Sequence, residues 1–88
     1  MPTYLVEREL PGITVDQFAA AQRAALEAAR RFTAEGLPVR YIRSTFVPSE
    51  ARSMCLFEAP DSDHVRKVNE AAQIPFTRVT EALDLMPL

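Results

Sequence analysis

The chain has 88 residues, enough for one domain, and 48% of them are hydrophobic while 25% are charged. Ten Lys and Arg residues against twelve Asp and Glu residues give a net charge of −2, so the basic surplus expected for binding nucleic acid or an anionic membrane is missing. The single cysteine, Cys55, excludes an internal disulfide and a zinc site built from cysteines. Charged residues soon follow Met1-Pro2-Thr3, so we expect no signal peptide, no membrane span and a cytoplasmic location.

The first half of the chain predicts a strand followed by a long helix. β-favouring residues from Thr3 to Glu9 predict the strand. Thr14 and Gln17 form a capping box that predicts the start of an alanine-rich helix from Val15 to about Ala34. Gly36 is a suitable C-terminal stop for this helix. Its inward face, taken at helical spacing, consists of Phe18, Ala21, Ala25, Ala28, Ala29 and Phe32.

The middle of the chain predicts a β-hairpin. Alternating β-branched and aromatic residues predict a strand from Val39 to Val47, and a second strand follows from Ser53 to Ala59. The four residues Pro48–Ala51 between them have the length of a hairpin turn.

The last part of the chain predicts a second helix and a fourth strand. Asp61 or Ser62 can cap a short helix that continues through Ala72, and Thr77 to Leu85 predicts the strand. The resulting order β-α-β-β-α-β predicts a single α+β domain over residues 1–88 with a ferredoxin-like fold, in which a four-stranded antiparallel sheet carries two helices on one face. The other face is left uncovered, and we expect a second copy to cover it, giving a homodimer and a dimeric α+β barrel.

Four polar residues are candidates for a site on this uncovered face. A four-residue turn pairs Val47 with Arg52, which predicts that Tyr41, Arg43 and Glu58 share the face opposite the helices. Glu7 of the first strand joins them if it faces the same way. This cluster could bind a small polar ligand, supply a general acid or base if burial raises a carboxylate pKa, or pair across a dimer interface.

The two residues most often used for nucleophilic or metal chemistry are poorly placed for it. Cys55 lies in an apolar run, which is typical of a small core residue. His64 lies in the first turn of the second helix and is expected at the surface. The position four residues on is Val68, so the helix offers no second metal ligand there. The residues by themselves therefore predict no metal site and no cofactor.

Three stretches carry a family resemblance: residues 36–44 (GLPVRYIRS), residues 55–60 (CLFEAP) and residues 68–72 (VNEAA). Together they resemble a bacterial family of small ferredoxin-like proteins of unknown function that includes nickel-binding dimeric members. The resemblance covers nearly the whole chain, and it implies the fold, a dimer with facing sheets and a metal-binding role. The nickel-binding members carry histidines where Glu7, Arg8 and Asn69 stand here, and nickel prefers imidazole nitrogen to single carboxylates.

Three functions follow from these observations. The first is a homodimer that binds a small molecule in a polar cavity between its sheets, lined by Glu7, Tyr41, Arg43 and Glu58. The second is a protein that binds nickel or another divalent metal through carboxylates, with His64 as an additional ligand. The third, based on the fold alone, is a cofactor-free oxygenase, isomerase or cyclase.

Overall fold

The ferredoxin-like α+β fold is confirmed. A computed structural model describes all 88 residues of the chain. The strands are β1 (Thr3–Glu9), β2 (Arg40–Val47), β3 (Arg52–Glu58) and β4 (Arg78–Ala82), and the helices are α1 (Val15–Ala34) and α2 (Ser62–Ala71). The strands form one antiparallel sheet in the order β2-β3-β1-β4. Neither helix combines the length and the apolar character that crossing a membrane would require.

The two ends of α1 form as the sequence predicts. Thr14 Oγ1 accepts a hydrogen bond from the Gln17 amide at 3.1 Å, and Gln17 Oε1 accepts one from the Thr14 amide at 2.9 Å, which completes the capping box. At the other end Gly36 has a φ of 90°, a left-handed conformation that glycine adopts without a steric penalty. The amide of Leu37 then donates to the Phe32 carbonyl at 2.8 Å, which closes the helix in a Schellman motif.

The core lies between the two helices and one face of the sheet. Val6 of β1 and Phe57 of β3 have no exposed surface, and Cys55 is 2% exposed, so its predicted place in the core is confirmed. The ring of Phe18 on α1 stacks on Phe46 of β2 with 4.8 Å between the ring centres. The other buried residues of α1 are Ala25, Ala28 and Ala29, whose small side chains let the helix lie close to the sheet.

The last strand is shorter than predicted. β4 ends at Ala82, whereas the sequence predicts a strand through Leu85. Beyond this end, Asp84 forms an ion pair with Arg43 of β2, which lies at the opposite edge of the sheet from β4. A straight strand would carry Asp84 away from β2, so the chain bends over the open face instead. We call residues 83–88 the tail.

Candidate functional site

The candidate site is the sheet face that the helices leave uncovered, which we call the open face. Its centre is apolar, because Leu5 of β1 pairs with Leu56 of β3 and Met54 lies beside them. All three side chains are only half-buried. Glu7 pairs with Met54 on β3 and with Arg78 on β4, and it lies on this face as the sequence analysis assumed. The open face is therefore an apolar centre with charged side chains around it.

Tyr41 is not on the open face, and the prediction that placed it there is wrong. The predicted pairing of Val47 with Arg52 is correct, and the same register continues to Arg43 opposite Leu56, but it shifts between Arg43 and Tyr41. A β-bulge at Ile42 inserts one residue, and an extra residue turns every side chain beyond it to the other face. Tyr41 consequently pairs with Phe57 rather than Glu58 and faces the helices.

The three remaining predicted residues lie on the open face but do not converge. Each is instead bound to a different partner of opposite charge. The Glu7 carboxylate accepts from Arg78 at 2.6 Å, and the Glu58 carboxylate accepts from Arg40 at 3.3 Å. Arg43 pairs with Asp84 of the tail. These ion pairs lie around the apolar centre, and all of them retain exposed surface.

The tail and Arg43 together cross the middle of the open face. Ala82 and Asp84 are two residues apart and can be separated by at most about 7 Å. β4 and β2 lie about 14 Å apart because two strands run between them. The Arg43 side chain must therefore extend back over the central strands to meet Asp84. The tail also carries large exposed apolar side chains on both sides of Asp84, at Leu83, Leu85, Met86 and Leu88.

On the helix-covered side, Tyr41 belongs to a chain of polar side chains within the core. Its ring packs on Phe57 with 4.9 Å between ring centres, and its hydroxyl is hydrogen-bonded to Ser44. Ser44 in turn donates to Cys55 Sγ at 2.9 Å. Burial raises the pKa of the Tyr41 phenol, the Ser44 hydrogen bond opposes this shift, and the nearby Cys55 adds to it. The Tyr41 hydroxyl is therefore protonated at neutral pH.

A second polar group on the helix-covered side centres on Arg8, which is 2% exposed. Its Nη2 donates to Asn69 Oδ1 at 2.6 Å, and its Nη1 donates to the Pro75 carbonyl at 3.3 Å. Asn69 Nδ2 donates to the Val65 carbonyl at 2.8 Å, which fixes the orientation of the amide. The pairing of Arg8 with Asn69 was not among the sequence predictions. The signal was present, because Arg8 alternates with the core residues Tyr4 and Val6.

The chain's one histidine lies apart from both polar groups. His64 Nδ1 is 2.6 Å from Asp61 Oδ1, and the His64 amide donates to the same oxygen at 3.0 Å. The hydrogen bonds from the side chain and the backbone of His64 lower the pKa of the Asp61 carboxyl. Asp61 is the N-cap of α2, so His64 helps to secure the start of this helix.

The comparisons with known proteins identify the family. The family described as "Nickel responsive protein SCO4226-like" matches residues 4–82, so the chain belongs to this family and the predicted family resemblance is confirmed. Among solved structures, the fold is similar to that of SCO4226 from Streptomyces coelicolor A3(2), with a TM-score of 0.80 and 24% sequence identity. The match covers 94% of this chain and 99% of that one. No curated protein matches the chain.

The residues present do not form a nickel site. Nickel in proteins prefers imidazole nitrogen, and several ligands must converge on one point. Here no three His, Cys, Asp or Glu side chains lie in an arrangement that could hold a metal ion. The histidine is engaged with Asp61, and the buried Cys55 accepts from Ser44.

Proposed function

We propose that this member of the family is a homodimer in which two open faces oppose each other and a small molecule binds between them. The observation that supports this most strongly is the composition of the open face. Leu5, Met54 and Leu56 form an apolar centre that no helix covers. Exposed apolar surface of this kind is typical of an association or ligand-binding surface.

The charges of the open face favour a second copy of the chain as the partner. With the tail included, this face carries four arginines and four acidic residues, and it has no net charge. They are Arg40, Arg43, Arg52, Arg78, Glu7, Glu9, Glu58 and Asp84. A two-fold interface places a surface against its own copy, so a neutral surface avoids the like-charge repulsion that a strongly charged one would meet. The exposed apolar side chains of the tail would be covered in the same assembly.

In the proposed dimer, the tail of each copy would keep the two sheets apart and leave a cavity between them. Sheets that pack directly lie about 10 Å apart, with interlocking side chains. Here the Arg43–Asp84 ion pair crosses the central strands, so two opposed sheets cannot close fully over Leu5 and Leu56. The space favours a ligand with an apolar body that lies on the leucines. Its polar groups would reach Glu7, Arg43 or Glu58; Tyr41, which faces the helices, is not part of this cavity.

Sedimentation equilibrium and dye binding test the proposal. We expect the wild-type protein to sediment at twice the mass of the chain and to bind the naphthalene dye ANS, which has an apolar body and one charged group. Leu56→Asp should give a folded monomer with ANS affinity at least tenfold weaker, because Leu56 faces away from the core. Val15→Asp is the matched control, since it places the same new charge at an exposed apolar residue on the helix side. A monomeric wild type, or a Leu56→Asp monomer that binds ANS equally well, would rule the proposal out.

Nickel binding, a competing function, is tested in a separate experiment. Nickel chloride is added to the wild-type protein while its melting temperature is followed. We expect no change, because the chain brings no three suitable ligands together. A saturable rise in melting temperature would show that the second copy completes a metal site.

A further inference from the structure

A groove runs along the side of the domain, between α1 and the edge strand β2. Two adjoining cavities of about 330 Å³ and about 530 Å³ form it, and Leu26 and Tyr41 border both of them. The residues of α1 that line it run from Ala19 to Ala34, which is about 22 Å along the helix axis. Its apolar floor consists of Leu26, Tyr41 and Ile42, which are all half-buried. We call this elongated surface the side groove.

Two arginines of α1 line the side groove without an anionic partner. Arg23 and Arg30 lie on the flank of the helix that faces β2, and both are exposed. Neither takes part in any ion pair of the chain. Glu27 lies about one helical turn from each of them, yet it pairs with neither. The charge that α1 presents to the groove is therefore positive.

β2 supplies the other side of the groove with backbone groups that have no partner. This strand pairs only with β3 and is one edge of the sheet, and no backbone hydrogen bond from a loop or helix reaches it. At such an edge, alternate N–H and C=O groups point outward and are free to bind another chain. The side chains of Arg40 and Arg43 are bound to Glu58 and Asp84 on the open face, so they do not add to the charge of the groove.

We propose that the side groove binds a short, extended and acidic peptide segment of another protein. Carboxylates of the peptide pair with Arg23 and Arg30, which lie two helical turns apart, or about 10 Å along the axis. Apolar side chains of the peptide lie on Leu26 and Ile42, and its backbone hydrogen-bonds to the free edge of β2. A segment of about seven extended residues has the length of the groove.

Two features disfavour a second copy of the chain as the occupant. A two-fold contact through this groove brings Arg23 and Arg30 close to the same residues of the partner, with no acidic groups between them. The β-bulge at Ile42 interrupts the edge, and such bulges protect edge strands from long edge-to-edge pairing. A short acidic peptide meets neither obstacle, because it carries the opposite charge and needs only a few backbone hydrogen bonds.

Fluorescence anisotropy with a labelled peptide tests the side groove. The probe is a peptide of about seven residues that alternates glutamate and valine, and its counterpart carries lysine in place of glutamate. We expect saturable binding of the glutamate peptide and at least tenfold weaker binding of the lysine peptide. No saturable binding of the glutamate peptide, or equal binding of the two, would overturn the proposal. Displacement by an equal concentration of sodium octanoate would also overturn it, because a small carboxylate would then be the occupant.

Charge variants show whether the free arginines of α1 are responsible. Arg23→Gln combined with Arg30→Gln should weaken binding of the glutamate peptide about fivefold to tenfold. Arg31→Gln combined with Arg66→Gln is the matched control, since it removes the same charge from residues outside the groove. All four side chains are exposed, so both double variants should fold. Equal weakening by the two would show that only net charge matters and would overturn the assignment to the groove.

Two further measurements test the free edge of β2 and the independence of the site. Methylation of every second amide in the glutamate peptide removes the donors of one of its edges, and one of the two methylation patterns should bind at least tenfold more weakly. Full affinity in both patterns would exclude pairing with β2. The Leu56→Asp monomer should bind the peptide as well as the wild type does, which separates this site from the space between the sheets. Binding by the monomer but not by the wild type would overturn the proposal, because the second copy would then cover the groove.

Discussion

Charged side chains differ in burial and in binding partners between the two faces of the sheet. On the open face Glu7, Arg43 and Glu58 each have a partner of opposite charge and remain partly exposed. On the helix-covered face Arg8 is almost fully buried and is bound only by the neutral oxygens of Asn69 and Pro75. The same strand, β1, supplies both Glu7 and Arg8, so alternation along one strand separates the two environments.

This difference indicates where a change of charge would alter the stability of the fold. Exposed ion pairs contribute little to stability, because water and salt screen them and both side chains lose conformational freedom. A buried charge without a counter-ion is costly, so changes to the groups that bind it affect stability strongly. The open face is consequently tolerant of changes to its charges, whereas changes around Arg8 have larger effects.

The largest contrast is expected between two neighbours on β3 that face opposite ways. Phe57→Ala removes a fully buried ring from the core and should lower the free energy of unfolding by about 3–5 kcal/mol. Leu56→Ala changes the open face, and its smaller effect should appear mainly at protein concentrations where the dimer forms. Urea unfolding at a high and a low protein concentration measures both. Equal, concentration-independent losses in the two variants would contradict the assignment of Leu56 to an interface.

The next largest effect is expected at the acceptor of the buried guanidinium. Asn69→Ala removes the 2.6 Å contact to Arg8 and the bond to the Val65 carbonyl. It should lower the free energy of unfolding by about 1–3 kcal/mol, since a buried charged donor then has one acceptor fewer. Urea unfolding measures this loss, with Glu70→Ala on the exposed face of the same helix as the control. A loss no larger than that of the control would mean that water replaces the amide at no cost.

Most of the fold could be predicted from the sequence because its signals are local. The Thr14–Gln17 capping box, Gly36 and the prolines mark the ends of the elements, and the pattern of the strands separates the two faces. The β-bulge at Ile42 could not be predicted, because nothing in the local sequence distinguishes a regular pair from one with an extra residue. The return of the tail across the sheet could not be predicted either, because it brings together Arg43 and Asp84, which are 41 residues apart.

The candidate site could be predicted less well than the fold, for a related reason. The sequence placed Glu7, Arg43 and Glu58 on the correct face, but which partner each side chain binds is decided by contacts between distant segments. Arg8 and Asn69 each lie on a buried face by alternation or helical spacing. Their meeting depends on how α2 packs on β1, which one sequence does not give.

A small effect is expected for the ion pair between Glu7 and Arg78 on the open face. Glu7→Gln removes one charge of a pair in which the Arg78 side chain is 68% exposed. At protein concentrations too low for the dimer to form, the loss in the free energy of unfolding should be at most about 1 kcal/mol at low salt and should shrink as salt is added. Chemical unfolding with urea at two salt concentrations measures it. A larger, salt-independent loss would show that Glu7 is desolvated, as it would be if the second copy covered it.

The smallest effect is expected at Asp61, the N-cap of the helix that holds Asn69 over Arg8. Hydrogen bonds from His64 lower the pKa of this carboxyl below its ordinary value of 3.8. The carboxylate therefore stabilises the folded state above that value, and this contribution is lost as the pH falls through the lower pKa of the folded protein. Asn is an equally good N-cap that does not titrate, so Asp61→Asn should melt close to the wild type at neutral pH. As the pH falls below 3.8, its melting temperature should fall less steeply than that of the wild type. Parallel curves would mean that the contact between His64 and Asp61 does not persist in solution, and that the start of α2 is fixed by its packing on the sheet alone.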